Sequence, residues 1–164
     1  SVVIDQSRVP SYSVELQNKN VKNNILDTGA GIGQSLPEIV AIAKTCEKPW
    51  QYILEEPETH LHPAAHAEMA EFMVHEVSLD KHKQILVETH SLNFILRLRT
   101  LVAKNELDTN DLALYYVKYD EETGASSLKK VMVHEDGSVS DWPSDVFNET
   151  YKEAVLLNNA QKNR

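Results

Sequence analysis

Two consecutive glutamates, Glu55 and Glu56, follow a short apolar run and stand directly before a proline. The run over 51–55 predicts a β-strand with both faces buried, because it shows no polar alternation. A carboxylate pair at the end of a rigid strand suits hydrolysis of a magnesium-bound nucleotide. One carboxylate lies near the metal in that chemistry, and the other polarises the attacking water. Taken alone, the pair is equally well explained as two solvated loop acids.

A second apolar run, over 84–88, leads into Thr89, His90 and Ser91. Neighbouring parallel strands that both end in polar residues place them at one carboxyl edge, where the ligands of open α/β sheets bind. At that edge His90 can hydrogen-bond a phosphate group. A single loop histidine is more commonly a surface residue, but the two strand ends together favour a ligand site.

A glycine-rich turn over 27–34 precedes a predicted helix over 35–44, with Ser35 as its N-cap and Pro37 in its first turn. The glycines of this turn are Gly29, Gly31 and Gly33. They permit close backbone approach and positive φ, and the helix behind them presents free N–H groups to an anion. The sequence contains no Gly-x-x-x-x-Gly-Lys-Ser/Thr phosphate cradle, so half of a nucleotide site is missing from it.

The remaining elements predict how these residues are positioned. They are, in chain order, a strand within 12–17, a helix over 64–77 opened by Pro63, a helix after Ser91, strands over 112–119 and 127–134, a loop over 136–143 and a helix over 145–157. The order strand, helix, strand, helix and then hairpin predicts an open α/β sheet with an added antiparallel edge.

The composition is that of an ordinary globular protein, with 41% hydrophobic and 25% charged residues among 164. The net charge of −9 argues against a broad DNA-binding face on this segment, because duplex binding depends on Lys and Arg contacts to phosphate.

The single cysteine, Cys46, suits a reducing cytoplasm. No apolar run approaches the roughly 18 residues of a membrane span. The chain starts with Ser1 rather than Met, which suggests a fragment of a longer protein.

The order of these motifs resembles the second half of an ABC-type ATPase, where signature motif, Walker B strand, D-loop and switch histidine follow one another. The strings Glu-Glu-Pro-Glu-x-His-Leu-His-Pro and Val-Glu-Thr-His-Ser are similar to bacterial ABC-type P-loop ATPases grouped with the AAA and overcoming-lysogenisation-defect families. Relatives include the ATPase subunits of Septu-type and retron-linked anti-phage systems. The resemblance covers about residues 25–157, and the segment from 136 onward resembles a C-terminal extension of uncharacterised role.

This resemblance implies ATP and Mg²⁺ as ligands, and a dimer that closes around ATP. Glu55 takes the Walker B position, where the family usually has Asp, and would hold Mg²⁺ through water. Glu56 takes the position of the catalytic carboxylate that orients the attacking water. His90 matches the switch histidine, which contacts the γ-phosphate.

Two loops would act across the dimer. The signature loop, with Gly31 where many members carry Ser, would cap the γ-phosphate of the nucleotide held by the other protomer. Its residues are Gly29, Gly31, Gly33 and Gln34. The D-loop would cross the dimer seam, with His62 in place of the Asp of transporters. Its residues are Thr59, His60, Leu61 and His62.

The resemblance divides the chain into a polar N-terminal segment (1–24), half of an ATPase domain (25–110) and a hairpin with a helical extension (111–164). It implies a separate N-terminal half with the Walker A cradle, a homodimer and a cytoplasmic nuclease or toxin effector in bacterial defence. Nucleic acid would be bound elsewhere than on this acidic segment.

Two other functions remain open at this stage. His60, His62 and His66 could form the Zn²⁺ site of a metal-dependent hydrolase, although no bridging Asp accompanies them. Alternatively, the chain could be a non-catalytic assembly module, because without a phosphate cradle it should bind ATP poorly and hydrolyse almost none on its own.

Overall fold

The structure, a computed structural model, describes residues 2–5, 13–27, 29–143 and 146–162. The chain divides into two compact units, Ser1–Ile95 and Leu96–Arg164. The first unit begins with an antiparallel sheet formed by β1 (Val2–Asp5), β2 (Ser13–Asn18) and β3 (Val21–Asn24). The sequence predicts only β2 of these three strands, and Tyr12, at the start of that prediction, lies outside the described residues.

Helix α1 (Ala30–Ile42) begins five residues before the predicted N-cap, Ser35. Ser35 is buried inside the helix, where its Oγ donates a 2.9 Å hydrogen bond to the Gly31 carbonyl. The N-cap is Gly29, which contributes no side-chain hydrogen bond, and Pro37 lies within the helix rather than in its first turn. The predicted helix start was therefore wrong, since the glycine segment is itself helical from residue 30 onward.

The elements that carry the candidate site form a parallel β-α-β unit: β4 (Trp50–Glu55), α2 (Pro63–Leu79) and β5 (Lys83–Glu88). Helix α3 (Leu92–Ala103) follows β5. The register pairs Glu55 with Glu88, so β4 and β5 end at the same edge, as predicted. His62 caps α2 by accepting the Ala64 N–H at its Nδ1, and Pro63 occupies the first helical position.

One face of the β4–β5 pair is exposed in the described chain. Ile53 and Leu86 are directly opposite each other in the register, and their exposed fractions are 66% and 55%. The alternate residues Tyr52 and Leu54 are half-buried. The predicted burial of both strand faces is therefore wrong for this part of the molecule. Parallel sheets are normally covered on both faces, and here only one face is covered.

The second unit contains β6 (Leu114–Asp120), β7 (Ala125–Val133), β8 (Val139–Ser140) and α4 (Glu149–Lys162). β6 and β7 pair antiparallel through a turn at Gly124, which has a positive φ of 68°. β8 pairs with the end of β7, so the predicted loop over 136–143 contains a short strand. Gly137 there accepts a 2.8 Å hydrogen bond from Arg99 Nε. Asp145, at the predicted start of the last helix, lies outside the described residues.

Candidate functional site

Three carboxylates and an imidazole lie at the carboxyl edge of β4 and β5. Glu55 is opposite Glu88 in the register, and the N–H of Glu56 donates a 2.9 Å hydrogen bond to the Glu88 carbonyl. The Nε2 atom of His90 lies 3.6 Å from Oε1 of Glu56 and 3.9 Å from Oε1 of Glu88. The structure therefore brings Glu56 and His90, which the sequence singled out, close together and places Glu88 beside them.

Glu56 has left-handed backbone geometry, with φ of 47°. Such a conformation costs a residue other than glycine about 1–3 kcal/mol, and it is concentrated at functional sites. Thr59 stabilises the turn by donating its N–H to the Glu56 carbonyl, at 2.9 Å. The Thr59 hydroxyl also donates to Oε2 of Glu56, at 2.9 Å. Thr59 therefore orients this carboxylate within its own chain.

The side chains of this edge are accessible. His90 is 74% exposed, Glu88 65% and Glu56 49%. A ligand can therefore reach the imidazole and the carboxylates directly. The edge is strongly negative, so a bare phosphate would be repelled there, whereas a hydrated divalent cation would be attracted.

Glu58 was not identified as a site residue from the sequence, yet it is only 4% exposed and contacts the loop that carries His90. Its Oε1 accepts hydrogen bonds from the Thr89 hydroxyl, at 2.6 Å, and from the His90 N–H, at 2.9 Å. The available signal was the third glutamate of Glu-Glu-Pro-Glu, which directly follows the buried Pro57.

His66 connects the same two loops. Its Nε2 lies 3.2 Å from the Leu61 carbonyl, which has no proton to donate, so Nε2 is the donor. Its Nδ1 lies 2.8 Å from the hydroxyl of Ser91, whose Oγ also accepts the Phe94 N–H and so caps the start of α3. Both ring nitrogens of His66 are therefore engaged within the protein.

These bonds argue against the zinc interpretation of His60, His62 and His66. His62 uses Nδ1 to cap α2, and His66 uses both nitrogens to join two loops. Among the described residues, no three His, Cys, Asp or Glu side chains are grouped so that they could hold a metal ion. Because His62 and His66 use these ring nitrogens in local hydrogen bonds, the part of the chain that the structure describes does not form the expected zinc site.

The predicted signature loop differs from expectation in its backbone. None of Gly29, Gly31 and Gly33 has positive φ, so left-handed geometry does not explain them. Gly31 is required for space instead, because a Cβ there would overlap the carbonyl oxygen of His60. Gly33 faces open space and Gln34 is exposed. The start of α1 thus packs directly against the Thr59–His62 segment of the same chain.

Comparisons with known proteins support nucleotide chemistry for this fold. Residues 6–95 match an AAA ATPase domain, and residues 107–157 match a family described as a protein of unknown function (DUF3696). No curated protein shows significant similarity to the chain. Within the described part of the chain, no helix has the length and apolar character needed to cross a membrane.

A solved chain from a study of ATP-driven dimerization and DNA-stimulated activation of SMC ATPases is also similar. Its TM-score is 0.57 at 14% sequence identity, over 93% of this chain and 78% of that chain. At that identity the similarity concerns the fold alone, which is a mixed α/β ATPase fold. Because the match over residues 6–95 covers more than half of its 164 residues, the chain belongs to the AAA ATPase domain family.

Proposed function

We propose that this chain is the Walker B, signature and switch-histidine half of a Mg²⁺-dependent ATPase that dimerises around ATP. The observation that carries this proposal is the pairing of Glu56 with His90, 3.6 Å apart at the shared end of two parallel strands. An acid and an imidazole so placed can act on one water molecule and one phosphate group.

The donor set at this edge fits magnesium. Mg²⁺ prefers oxygen ligands and is usually held by one or two carboxylates together with waters and substrate phosphates, so no cage of protein side chains is needed. Glu55 would hold the ion through water, and Glu88, opposite it in the register, adds negative charge nearby. When bound, the ion neutralises charge on the transferred phosphoryl group.

Glu56 orients the attacking water in this proposal, and His90 contacts the γ-phosphate. The Thr59 hydrogen bonds hold the Glu56 carboxylate in one direction before substrate arrives. The imidazole of His90 is exposed, so it is accessible to a phosphate oxygen. Preorganised groups of this kind lower the barrier because they need little reorganisation during the reaction.

The phosphate cradle of the same site would come from a polypeptide segment that this sequence does not contain. The exposed face with Ile53 and Leu86 supports this part of the proposal, because both faces of a parallel sheet are normally covered and that segment would supply the second cover. The acidic edge also supports a phosphate cradle on another segment, since carboxylates alone repel ATP. By itself the chain would therefore act as an assembly half with weak nucleotide affinity.

Dimerisation around ATP would place two loops on the nucleotide of the other protomer. The uncapped N-terminus of α1, at Gly29, offers N–H groups to a γ-phosphate. The Thr59–His62 segment would cross the seam, and its contact with Gly31 joins both loops within one chain. ATP-driven dimerization of the structurally similar SMC ATPases is consistent with this arrangement.

The biological role rests on the sequence resemblance to anti-phage ATPases. In that role the ATPase would control a nuclease or toxin effector in the bacterial cytoplasm. The net charge of −9 indicates that any nucleic acid would be bound by another part of the assembly.

The test is Glu56→Gln in the ATPase assembled with its phosphate-binding segment. The variant should lose turnover by about 10²- to 10⁴-fold while it still binds ATP and forms the closed dimer. Glu68→Gln is the matched control, because Glu68 is an exposed glutamate on α2. Unchanged turnover in Glu56→Gln would contradict the proposed role of this carboxylate.

A further inference from the structure

Glu58 is a buried carboxylate in a position where a smaller or apolar residue would cost less to bury. Charged side chains are rarely enclosed unless hydrogen bonds compensate for lost hydration. Here Oε1 accepts two hydrogen bonds, whereas Oε2 is also buried and has no hydrogen-bond partner among the described residues. A side chain kept for packing alone would not need this carboxylate.

Both donors to Glu58 belong to the loop that carries the switch histidine. The Thr89 hydroxyl donates to Oε1 of Glu58 and at the same time accepts the Ser91 N–H, at 3.0 Å. The His90 N–H donates to the same carboxylate oxygen. The backbone of residues 89–91 is therefore fixed by one buried acceptor that lies two residues after Glu56.

The imidazole of His90 has no comparable anchor. Its side chain is 74% exposed, and its ring contacts are the 3.6 Å and 3.9 Å approaches to Glu56 and Glu88. The position of the ring is thus set mainly by its backbone, which Glu58 holds. An error of about 1 Å in the placement of a catalytic group can cost roughly 10²-fold in rate.

We infer that Glu58 is a positioning residue, which clamps the Thr89–His90 backbone so that the His90 imidazole stays beside Glu56. This inference rests on the proposed function, since it assigns Glu58 to the same hydrolytic site. The property required of Glu58 is a buried hydrogen-bond acceptor at the position of Oε1. Its negative charge is not required, and Glu58 does not touch the substrate.

The experiment is a double-mutant cycle in the assembled ATPase, with Glu58→Ala, His90→Ala and the two combined. Glu58→Ala should lower kcat by about 10- to 100-fold and leave KM for ATP unchanged, because the lost contact orients a group that acts in the transition state. In the His90→Ala background, Glu58→Ala should cause no further loss, since both changes remove the same contribution. If kcat of the double variant fell by the product of the two single-variant losses, the inference would be overturned.

Glu58→Gln provides the rescue. Its amide oxygen can accept both hydrogen bonds, so kcat should stay near that of the unmodified enzyme. Loss of turnover in Glu58→Gln equal to that in Glu58→Ala would show that the charge is needed and would contradict the inference. Glu68→Ala, an exposed change on α2, is the control for general effects of removing a glutamate.

Thr89→Val keeps the proposal testable if Glu58→Ala does not fold. Valine preserves the shape of threonine but removes the hydroxyl that donates to Glu58. Thr89→Val alone should therefore lower kcat, whereas adding Thr89→Val to His90→Ala should cause no further loss of kcat. An equal fold-loss of kcat from Thr89→Val with and without His90→Ala would overturn the inference.

Two outcomes separate this inference from the proposed function. If Glu56→Gln alone leaves turnover intact, the proposed function fails. If Glu56→Gln abolishes turnover and Glu58→Ala does not affect it, only this inference fails.

Discussion

Gly31 packs against the backbone of His60, so closely that a Cβ at position 31 would overlap the His60 carbonyl oxygen. The contact joins the first turn of α1 to the loop between β4 and α2. Both segments are expected to face the nucleotide of the other protomer. Their mutual position is thus fixed within one chain before a dimer forms.

We expect Gly31→Ser to lower the free energy of unfolding by about 1–3 kcal/mol, because the added atoms have no space beside the His60 backbone. Gly33→Ala is the matched control in the same helix, since a Cβ there meets nothing within 4 Å. It should raise the free energy of unfolding by up to about 1 kcal/mol, because alanine favours the helix. Urea unfolding of the two variants measures both values, and equal stability in both would contradict the packing.

Glu55→Gln should raise the Mg²⁺ concentration needed for half-maximal ATP hydrolysis by about 10- to 100-fold, because the side chain is expected to hold the ion through water. Glu55→Asp retains the carboxylate and should keep most of the affinity. The measurement is a magnesium titration of turnover in the assembled ATPase. Gln51→Ala is the control, since Gln51 is exposed on the same face of β4. The same magnesium dependence in Glu55→Gln and Gln51→Ala would argue against a metal role.

Tyr52 should make folding sensitive to alkaline pH. Its hydroxyl donates a 2.9 Å hydrogen bond to the Ala41 carbonyl, and burial raises the pKa of Tyr52 to about 12. A folded-state pKa above the ordinary value of about 10 stabilises the neutral phenol. This contribution is fully present below about pH 10 and is lost as the pH rises through about 12.

Two variants test the role of Tyr52. Tyr52→Phe should lower the free energy of unfolding by about 1 kcal/mol near neutral pH and should remove the latest step from the tyrosinate absorbance titration. Tyr119→Phe is the control, because Tyr119 is 61% exposed. A titration in which Tyr52→Phe removes an early step instead would contradict the assignment.

Much of the parallel unit was predictable from the sequence, because apolar runs, Pro63 and the polar strand ends each have a direct structural cause. The pairing of Glu55 with Glu88 confirmed the shared edge. The start of α1 was not predictable, since glycines usually disfavour helices and here tertiary packing against His60 overrides that preference. β3 (VKNN) was missed because a short polar strand shows little alternation, and β1 (VVID) because four residues are too few to establish a period.

The role of Glu58 could not be deduced from its residue type. Glutamates are normally exposed, and only the folded chain shows that this one is enclosed and bonded to Thr89 and His90. Glu88 was likewise overlooked, because its proximity to His90 depends on a distance across the sheet. Sequence patterns identify residues along the chain, whereas these partners are set by tertiary contacts.

The left-handed backbone of Glu56 affects which substitutions evolution would favour at this position. A glycine would adopt the same geometry without steric strain, and relief of that strain would stabilise the fold, but glycine would supply no carboxylate. Selection for stability and selection for turnover therefore act in opposite directions at residue 56. A copy of this protein released from the need to hydrolyse ATP would be expected to lose the glutamate here early, and to gain stability when it does.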